Sequence, residues 1–429
     1  MSGDTIVALS SGAPPSGVAV IRLSGPATGR ILQDIAGTIP EPRRLTLRPI
    51  GRESMLDRGL VAWFPAPHSF TGEDCAELQV HGSPAGVRAI IKLITSKGAR
   101  LAEAGEFTRR AFENGKLDLV EIEGLGDLLE AETENQRRQA LARFEGGLSQ
   151  RIDGWRDQLL DLRAEIEARL DFSDEGDVGD TLPEDFGRSL TALRNDIAMA
   201  LASVEHGRVV REGIRVALAG PPNAGKSSLL NALAQSDIAI VTDEAGTTRD
   251  VREVPLDING QLYILLDLAG LRETDSKAEA EGVRRARQAI DQADIVLWLS
   301  APDLPAVEIP ETDNRHIHVS TKRDLGRVTG ADIAVSAQSG EGLAELLGRI
   351  EQLGQTLSSG EPSLLSRERD RIALQSAIEA LEASAKQLAM PELAAESLRL
   401  ASQALERLVG RLDAERVLDR LFASFCIGK

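Results

Sequence analysis

The nine residues Gly220-Pro-Pro-Asn-Ala-Gly-Lys-Ser-Ser228 have the types and spacing of a phosphate-binding loop. Gly220 and Gly225 allow a backbone tight enough for successive N–H groups to point inward. The helix start that follows adds the positive end of its dipole. In such a loop Asn223, Ala224, Gly225, Lys226, Ser227 and Ser228 line the nucleotide. Lys226 reaches the β- and γ-phosphates, and the Ser227 hydroxyl ligates the Mg²⁺ that travels with them. The flanks agree, because 214–219 is an apolar strand-like run and 229–234 has helical spacing.

Residues further along narrow the choice of base. The strand pattern 262–266 ends in Asp267-Leu268-Ala269-Gly270. An acid there can hold Mg²⁺ through water, and the Gly270 backbone can approach a γ-phosphate. After a second strand at 295–299, His316–Ser320 runs into Thr321-Lys322-Arg323-Asp324. The Asp324 carboxylate can accept from guanine N1–H and N2–H₂ together, a pair of donors that adenine does not offer. Ser336-Ala337-Gln338, after 332–335, completes a base-binding rim, so GTP is favoured over ATP. Thr321 stands where asparagine is common, and an amide tie from base rim to phosphate loop is therefore expected to be missing. Between loop and strand, Thr242-Asp243-Glu244-Ala245-Gly246-Thr247-Thr248-Arg249-Asp250 offers a threonine to finish the Mg²⁺ shell. No glutamine lies at 268–272 to orient an attacking water.

The elements that must carry these groups read as a multidomain α/β plus all-α chain. Residues 1–116 are mixed α/β, with strands at 5–9, 18–23, 59–64 and 76–80 and a helix at 84–97. Residues 117–210 turn to long helices at 117–144, 152–170 and 186–211. The acidic run 171–177 mimics the start of a calcium loop, but its twelfth position is Leu182, so a solvated turn is expected. The nucleotide domain spans 211–356 and should hold a mostly parallel sheet. Pro302, Pro305 and Pro310 leave little room for a crossover helix between 300 and 316. A linker at 353–362 leads to helices at 363–388 and 393–425. These have no partners among themselves and should pack on 117–210, so that the nucleotide domain is an insertion in one helical domain completed by 357–429.

Composition sets outer bounds. The chain of 429 residues carries 49 Lys+Arg against 67 Asp+Glu, a net charge of −18 that repels nucleic acid overall. Binding RNA would need a local basic patch or a partner. The two cysteines, Cys75 and Cys426, fit a reducing compartment rather than a disulfide framework. No apolar run approaches the roughly 20 residues of a membrane span, and the amino end lacks a signal pattern. A cytoplasmic protein without membrane attachment is expected. Gly428 and Lys429 exclude a prenylation signal in the last four residues.

Asn223 together with Gly246-Thr-Thr-Arg-Asp250 resembles the potassium-activated, dimerising GTPases of the Era/TrmE type. Asp4–Leu9, Gly17–Gly25, Ser69-Phe-Thr-Gly-Glu-Asp74, Gly105-Glu-Phe-Thr-Arg109 and Phe425-Cys-Ile-Gly-Lys429 extend the likeness over nearly the whole chain, toward the TrmE-type tRNA-modification GTPases. The resemblance implies a GTP hydrolase in which K⁺ is held by Asn223, Thr242, Glu244 and Thr247, and Mg²⁺ by Ser227 and Thr248. It implies that Glu279 orients the attacking water, with Arg249 a second catalytic candidate. It further implies that 1–116 dimerises and binds 5-formyl- or 5,10-methylene-tetrahydrofolate through Arg22, Glu77 and Lys116. The tail would bring Lys429 to the folate and Cys426 near its one-carbon unit. The family acts as a homodimer with the flavoprotein MnmG, which carries FAD and forms a heterotetramer with it. Together they add an aminomethyl or carboxymethylaminomethyl group at C5 of the wobble uridine of tRNA. The alternative is an Era-like ribosome-assembly switch.

Overall fold

The computed structural model describes residues 3–171, 182–240, 252–267, 288–305, 315–358 and 363–412, with Leu418, Leu421, Phe422, Phe425 and Gly428 beyond them. The chain forms two compact units. One comprises 1–126, 144–160 and 402–429, the other 127–143 and 161–401.

The first unit is built on β1 (Thr5–Leu9), β2 (Ser16–Ser24), β3 (Thr46–Ile50), β4 (Asp57–Phe64), β5 (Cys75–Gly82) and β6 (Ala99–Leu101). The strand order is β3-β4-β5-β2-β1-β6, antiparallel except that β6 runs parallel to β1. Helices α1 (Thr28–Ala36) and α2 (Pro84–Ser96) cover one face. Ile31, Leu32 and Ile35 of α1 and Val87, Ile90 and Ile94 of α2 meet Ile21, Leu23, Val61, Trp63 and Leu78. Helix α2 starts where the sequence dictates: Pro84 presets the first turn, and the Ser83 hydroxyl accepts from the Gly86 N–H. Strand β1 is buried on both sides, because α3 (Glu106–Glu113) places Phe107 against Ile6 and Ala8 on the opposite face. Its Thr-Ile-Val-Ala-Leu run accordingly lacks polar alternation. Helix α4 (Leu119–Glu130) contributes Leu119 and Ile122, which pack on Phe422 and Phe425 from the far end of the chain.

The second unit carries β7 (Ile214–Ala219), β8 (Arg252–Ile258), β9 (Gln261–Asp267), β10 (Ile295–Ser300), β11 (His316–Ser320) and β12 (Ile333–Ala334). Their order is β12-β11-β10-β7-β9-β8, parallel apart from β8, which pairs antiparallel with β9. The same unit holds α5 (Glu134–Phe144), α7 (Phe186–Ala202), α8 (Val204–Glu212), α9 (Lys226–Ala234), α10 (Leu343–Ser358) and α11 (Glu368–Lys386), of which α8, α9 and α10 pack against the sheet. Helices α6 (Gly147–Asp171) and α12 (Pro391–Leu408) give residues to both units. Helices α7 and α11 pack along each other, burying Leu190, Leu193 and Ile197 against Leu374, Ile378 and Leu381. The parallel sheet is thus inserted between helices that find their partners across it in sequence. Among the described residues no helix is long and apolar enough to cross a membrane.

Four helical expectations shift in detail. The run expected as a helix over 393–425 ends at Leu408, and Gly410 follows at φ +77°, a left-handed backbone that a helix does not continue through. The run 117–144 is two helices, because the Gln136 side-chain oxygen accepts from the Glu132 and Thr133 N–H groups (3.0 and 3.1 Å) and caps a fresh start. The run 186–211 also breaks, at Ser203, whose hydroxyl bonds the Ala200 carbonyl at 2.7 Å instead of leaving the ladder to continue. The linker assigned from 353 begins later: α10 continues to Ser358 because Leu353 and Leu357 pack on the sheet's core. The acidic run 172–181 and the segment 306–314 lie outside the described residues.

Candidate nucleotide site and a second polar locus

The phosphate loop joins β7 to α9. Gly220, at φ +137°, lies so close to β10 that a Cβ there would sit 2.3 Å from the Leu299 carbonyl oxygen. Only glycine permits both the angle and the approach. Asn223 also adopts a left-handed backbone, and Ala224 is fully buried beneath the loop. Gly225 caps α9, so the unpaired N–H groups of that helix open toward the loop. The Lys226 ammonium folds back and donates to the Gly220 and Pro221 carbonyl oxygens, each at 2.8 Å. Its positive charge therefore lies over the first turn of the cradle.

Asp267, the last residue of β9, is held beside the loop by the pairing of β9 with β7. The Ser227 hydroxyl donates to its Oδ2 at 2.8 Å. A hydroxyl and a buried carboxylate at this separation suit Mg²⁺, a hard cation that takes oxygen ligands and keeps part of its water shell. Ser228 follows in the exposed first turn of α9.

The base rim is assembled from the ends of β11 and β12. The Thr321 hydroxyl lies 2.7 Å from the Ala224 carbonyl oxygen and 3.0 Å from that of Ser300, with its single proton shared between them and the shorter contact to Ala224. The expected loss of the tie between base rim and phosphate loop is therefore corrected: a shorter side chain makes it, from a buried position, through its hydroxyl. Lys322 adopts a left-handed backbone, and its ammonium pairs with Asp303 at 2.7 Å. Asp324 sits in a short 3₁₀ turn, Arg323–Leu325. The Ser336 hydroxyl donates to its Oδ1 at 3.2 Å, and the other carboxylate oxygen has no protein partner among the described residues. Ala337 and Gln338 continue the turn after β12.

The structure thus gathers Asn223, Ala224, Gly225, Lys226, Ser227 and Asp267 at one end of the sheet, with Thr321, Lys322, Asp324 and Ser336 at the ends of neighbouring strands. Thr242, Asp243, Glu244, Ala245, Gly246, Thr247, Thr248, Arg249, Leu268, Ala269, Gly270, Glu279, Cys426 and Lys429 lie outside the described residues.

A second locus stands on the first sheet. Arg22 of β2 faces Glu77 of β5 in register, and its Nε and Nη2 donate to Glu77 Oε1 at 3.0 and 2.9 Å. The guanidinium lies 5.4 Å from the Phe70 ring and 5.8 Å from that of Phe107, within cation–π range. Lys116 runs beside Gly72, two residues from Phe70. The Ser10 hydroxyl donates to the Gly428 carbonyl at 2.5 Å, so the chain's tail lies at the end of β1, the strand whose Ala8 faces Arg22.

Sequence reasoning missed the ionic cluster in this unit. Arg110, 3% exposed, donates to Asp4 (2.8 Å), Glu73 (3.1 Å) and Glu106 (3.0 Å). Ser24 in turn donates to Glu73 at 2.6 Å. Burial pushes the Glu106 carboxyl up, but the hydrogen bonds from Arg100, the Glu103 N–H and Arg110 outweigh it and hold the group below its usual range. Glu106 lies in the motif Gly105–Arg109, but nothing in the sequence pairs it with Asp4 or Glu73.

Known proteins supply the family. Residues 5–116 match the family described as the GTP-binding protein TrmE N-terminus, and 119–426 match the MnmE helical domain. The tRNA modification GTPase MnmE of Azorhizobium caulinodans is 50% identical over 436 residues, covering 100% of this chain and 99% of its own. Its namesake from Rhizobium johnstonii is 48% identical over 437 residues, with 100% of both chains covered. That of Maricaulis maris is 49% identical over 436 residues, with 99% of each covered. With a phosphate cradle, a paired hydroxyl and carboxylate beside it, and full-length relatives at about half identity, the chain belongs to the MnmE family of tRNA modification GTPases.

Proposed function

We propose that the chain hydrolyses GTP and couples hydrolysis to modification of C5 of the wobble uridine in tRNA. The observation that carries this reading is the joint arrangement of Lys226 over the loop and Ser227 against Asp267, beside a rim where one Asp324 carboxylate oxygen has no protein partner among the described residues. Loop N–H groups and Lys226 bind the β- and γ-phosphates, Ser227 and Thr248 hold Mg²⁺, and Asp324 reads guanine. Bound Mg²⁺ offsets charge on the transferring phosphoryl group. Asn223, with Thr242, Glu244 and Thr247, would hold K⁺ where an arginine finger acts in other GTPases. Glu279 would orient the attacking water.

On the first sheet, Arg22, Glu77, Lys116 and Lys429 are the groups we assign to a tetrahydrofolate carrying a formyl or methylene unit. A pterin offers donors to a carboxylate, and a glutamate tail offers carboxylates to cations. Cys426 stands as a candidate beside the carried carbon. The same sheet supports homodimerisation, since Leu47 and Leu60 face each other on β3 and β4 with 58% and 36% exposure. With a net charge of −18, tRNA would be held chiefly through the flavoprotein partner MnmG, whose FAD supplies the redox chemistry, within the cytoplasm.

The test is hydrolysis of GTP and ATP by the full chain in K⁺ and in Na⁺ at one ionic strength, with wobble-uridine analysis of tRNA from cells lacking the gene. GTP-selective, potassium-stimulated turnover and loss of the modified nucleoside are expected. Equal rates in both cations would remove the potassium assignment, and unchanged nucleosides would remove the tRNA assignment.

A further inference from the structure

Helix α5 carries a polar stripe that the nucleotide site does not use. Asn135, Gln136, Gln139 and Arg143 are spaced by one, three and four residues, which places them along one side of the helix. Each reaches a different segment of the second unit. The Asn135 N–H donates to the Gly260 carbonyl, at the turn between β8 and β9, at 3.0 Å. Gln136 Nε2 donates to the Arg211 carbonyl at the end of α8, at 2.9 Å. Gln139 is 3% exposed and uses both amide protons, one on the Gly207 carbonyl (3.1 Å) and one on the Ser363 carbonyl (2.7 Å). The fully buried Arg143 donates to the Leu364 carbonyl, to Ser366 Oγ at 3.3 Å and to Asp370 Oδ2 at 3.5 Å.

Gly207 lies on the path into the sheet and Ser363 on the path out of it. The two paths touch so closely that a Cβ on Gly207 would come within 1.9 Å of the Leu365 carbonyl oxygen. One side chain therefore bridges both connections, and a buried amide has a cost unless all its donors are met, as they are here. The other end of the stripe holds the β8–β9 turn. Strand β9 ends at Asp267, whose carboxylate is bonded to Ser227 of the phosphate loop. The same turn is fixed to α10 through Asn259 Nδ2 and Glu351 Oε1, at 2.6 Å.

We propose that α5 couples the nucleotide state of the sheet to the helices that follow it. A shift of β9 with the γ-phosphate and Mg²⁺ moves the β8–β9 turn, α5 follows through Asn135 and Gln136, and Gln139 with Arg143 passes the shift to 363–370 and α11. Gln139 is a positioning residue, not a catalytic one. This inference rests on the nucleotide reading above. What supports it is the continuous set of hydrogen bonds from the β8–β9 turn through α5 to 363–370, and the exchange experiment supplies the two states that a coupling requires.

Hydrogen–deuterium exchange on the full chain, with Mg²⁺ and either GDP or an imido analogue of GTP, tests it. Peptides over 252–267, 134–144 and 363–374 are expected to change protection together. Gln139→Met, equal in length but without donors, should keep the change in 252–267, abolish it in 363–374, and alter analogue affinity by less than about fivefold, the lower end of usual coupling factors. If that variant does not fold, the unmutated chain decides alone. Changes in 252–267 with none in 134–144 overturn the coupling role while leaving the nucleotide reading intact. A full response of 363–374 in Gln139→Met does the same. No binding of either nucleotide overturns the nucleotide reading and this inference with it.

Discussion

Among the described residues the two sheets have six strands each, yet they place chemistry in opposite ways. In the mostly parallel sheet the candidate groups among the described residues sit at or just past the carboxyl end of a strand: Gly220 after β7, Asp267 at the end of β9, Thr321 after β11, Ser336 after β12. Parallel strands share one carboxyl edge, so successive strands deliver their last residues to one place. The antiparallel sheet has no such edge. Its polar locus is built on a face, from cross-strand partners such as Arg22 and Glu77. The first arrangement leaves donors and a carboxylate oxygen open to a ligand. The second satisfies its charges internally, so a ligand must compete with a bond already made. Site placement follows strand direction as much as residue type.

The sharpest way to break this contrast is at the base rim. Asp324→Asn should reverse preference from GTP to xanthosine triphosphate by about 10⁴-fold, the discrimination seen when a built hydrogen-bonding site meets the wrong partner. Competition binding with the two triphosphates checks it, and a variant still preferring GTP would remove Asp324 as the base reader. Lys226→Ala should lower kcat/KM for GTP by about 10²–10³-fold, the usual effect of removing one donor to developing charge, with thermal stability unchanged. Steady-state rates and a melting curve measure both.

On the other sheet the expected effects fall on stability. Arg110→Met leaves Glu73 without its cation and Asp4 and Glu106 with Arg100 alone, and should destabilise the first unit by about 3 kcal/mol. Exchange protection should fall in 4–9 and 71–82 and hold in 214–219. Acid should act on the same cluster. Hydrogen bonds hold the Glu106 carboxyl below the ordinary glutamate range despite its burial, so its contribution is fully present above that range and is lost as pH falls through its folded value. Urea midpoints recorded across that range should decline for the first unit, and a flat profile would contradict the ion cluster. The smallest effect is expected at Thr321→Val, which keeps the shape and removes the hydroxyl. A loss of about 1 kcal/mol in GTP affinity, measured by titration calorimetry, would match one hydrogen bond.

How much could be read beforehand follows the same division. The phosphate loop was legible because its geometry is local, fixed by glycines at set positions between an apolar strand and a helix. The order of motifs after it followed from the parallel topology. The Arg110 cluster was not legible, since it joins Asp4, Glu73 and Glu106 from three separate elements. The Thr321 tie was misjudged because residue type was weighed without the distance: Ala224 lies close enough for a hydroxyl to do what an amide does elsewhere. The stripe on α5 was hidden inside a single long helical pattern, since only the fold shows that Gln136 starts a new helix there. Strand β8 escaped the reading because its run Arg252–Ile258 carries Pro255 and charged residues at an antiparallel position beside β9.

One packing contact carries a consequence for synthesis. Phe422 is 1% exposed, lies with its ring 5.0 Å from the Arg109 guanidinium, and covers Leu119 and Ile122 of α4. Gly105 abuts it closely enough that a Cβ would fall 2.8 Å from its ring. The residues it covers leave the ribosome among the first third of the chain, whereas Phe422 is seven residues from the end. At translation rates of about 5–20 residues per second, that apolar surface waits on the order of tens of seconds for its cover. Residues made early in synthesis therefore complete their packing against residues made near its end.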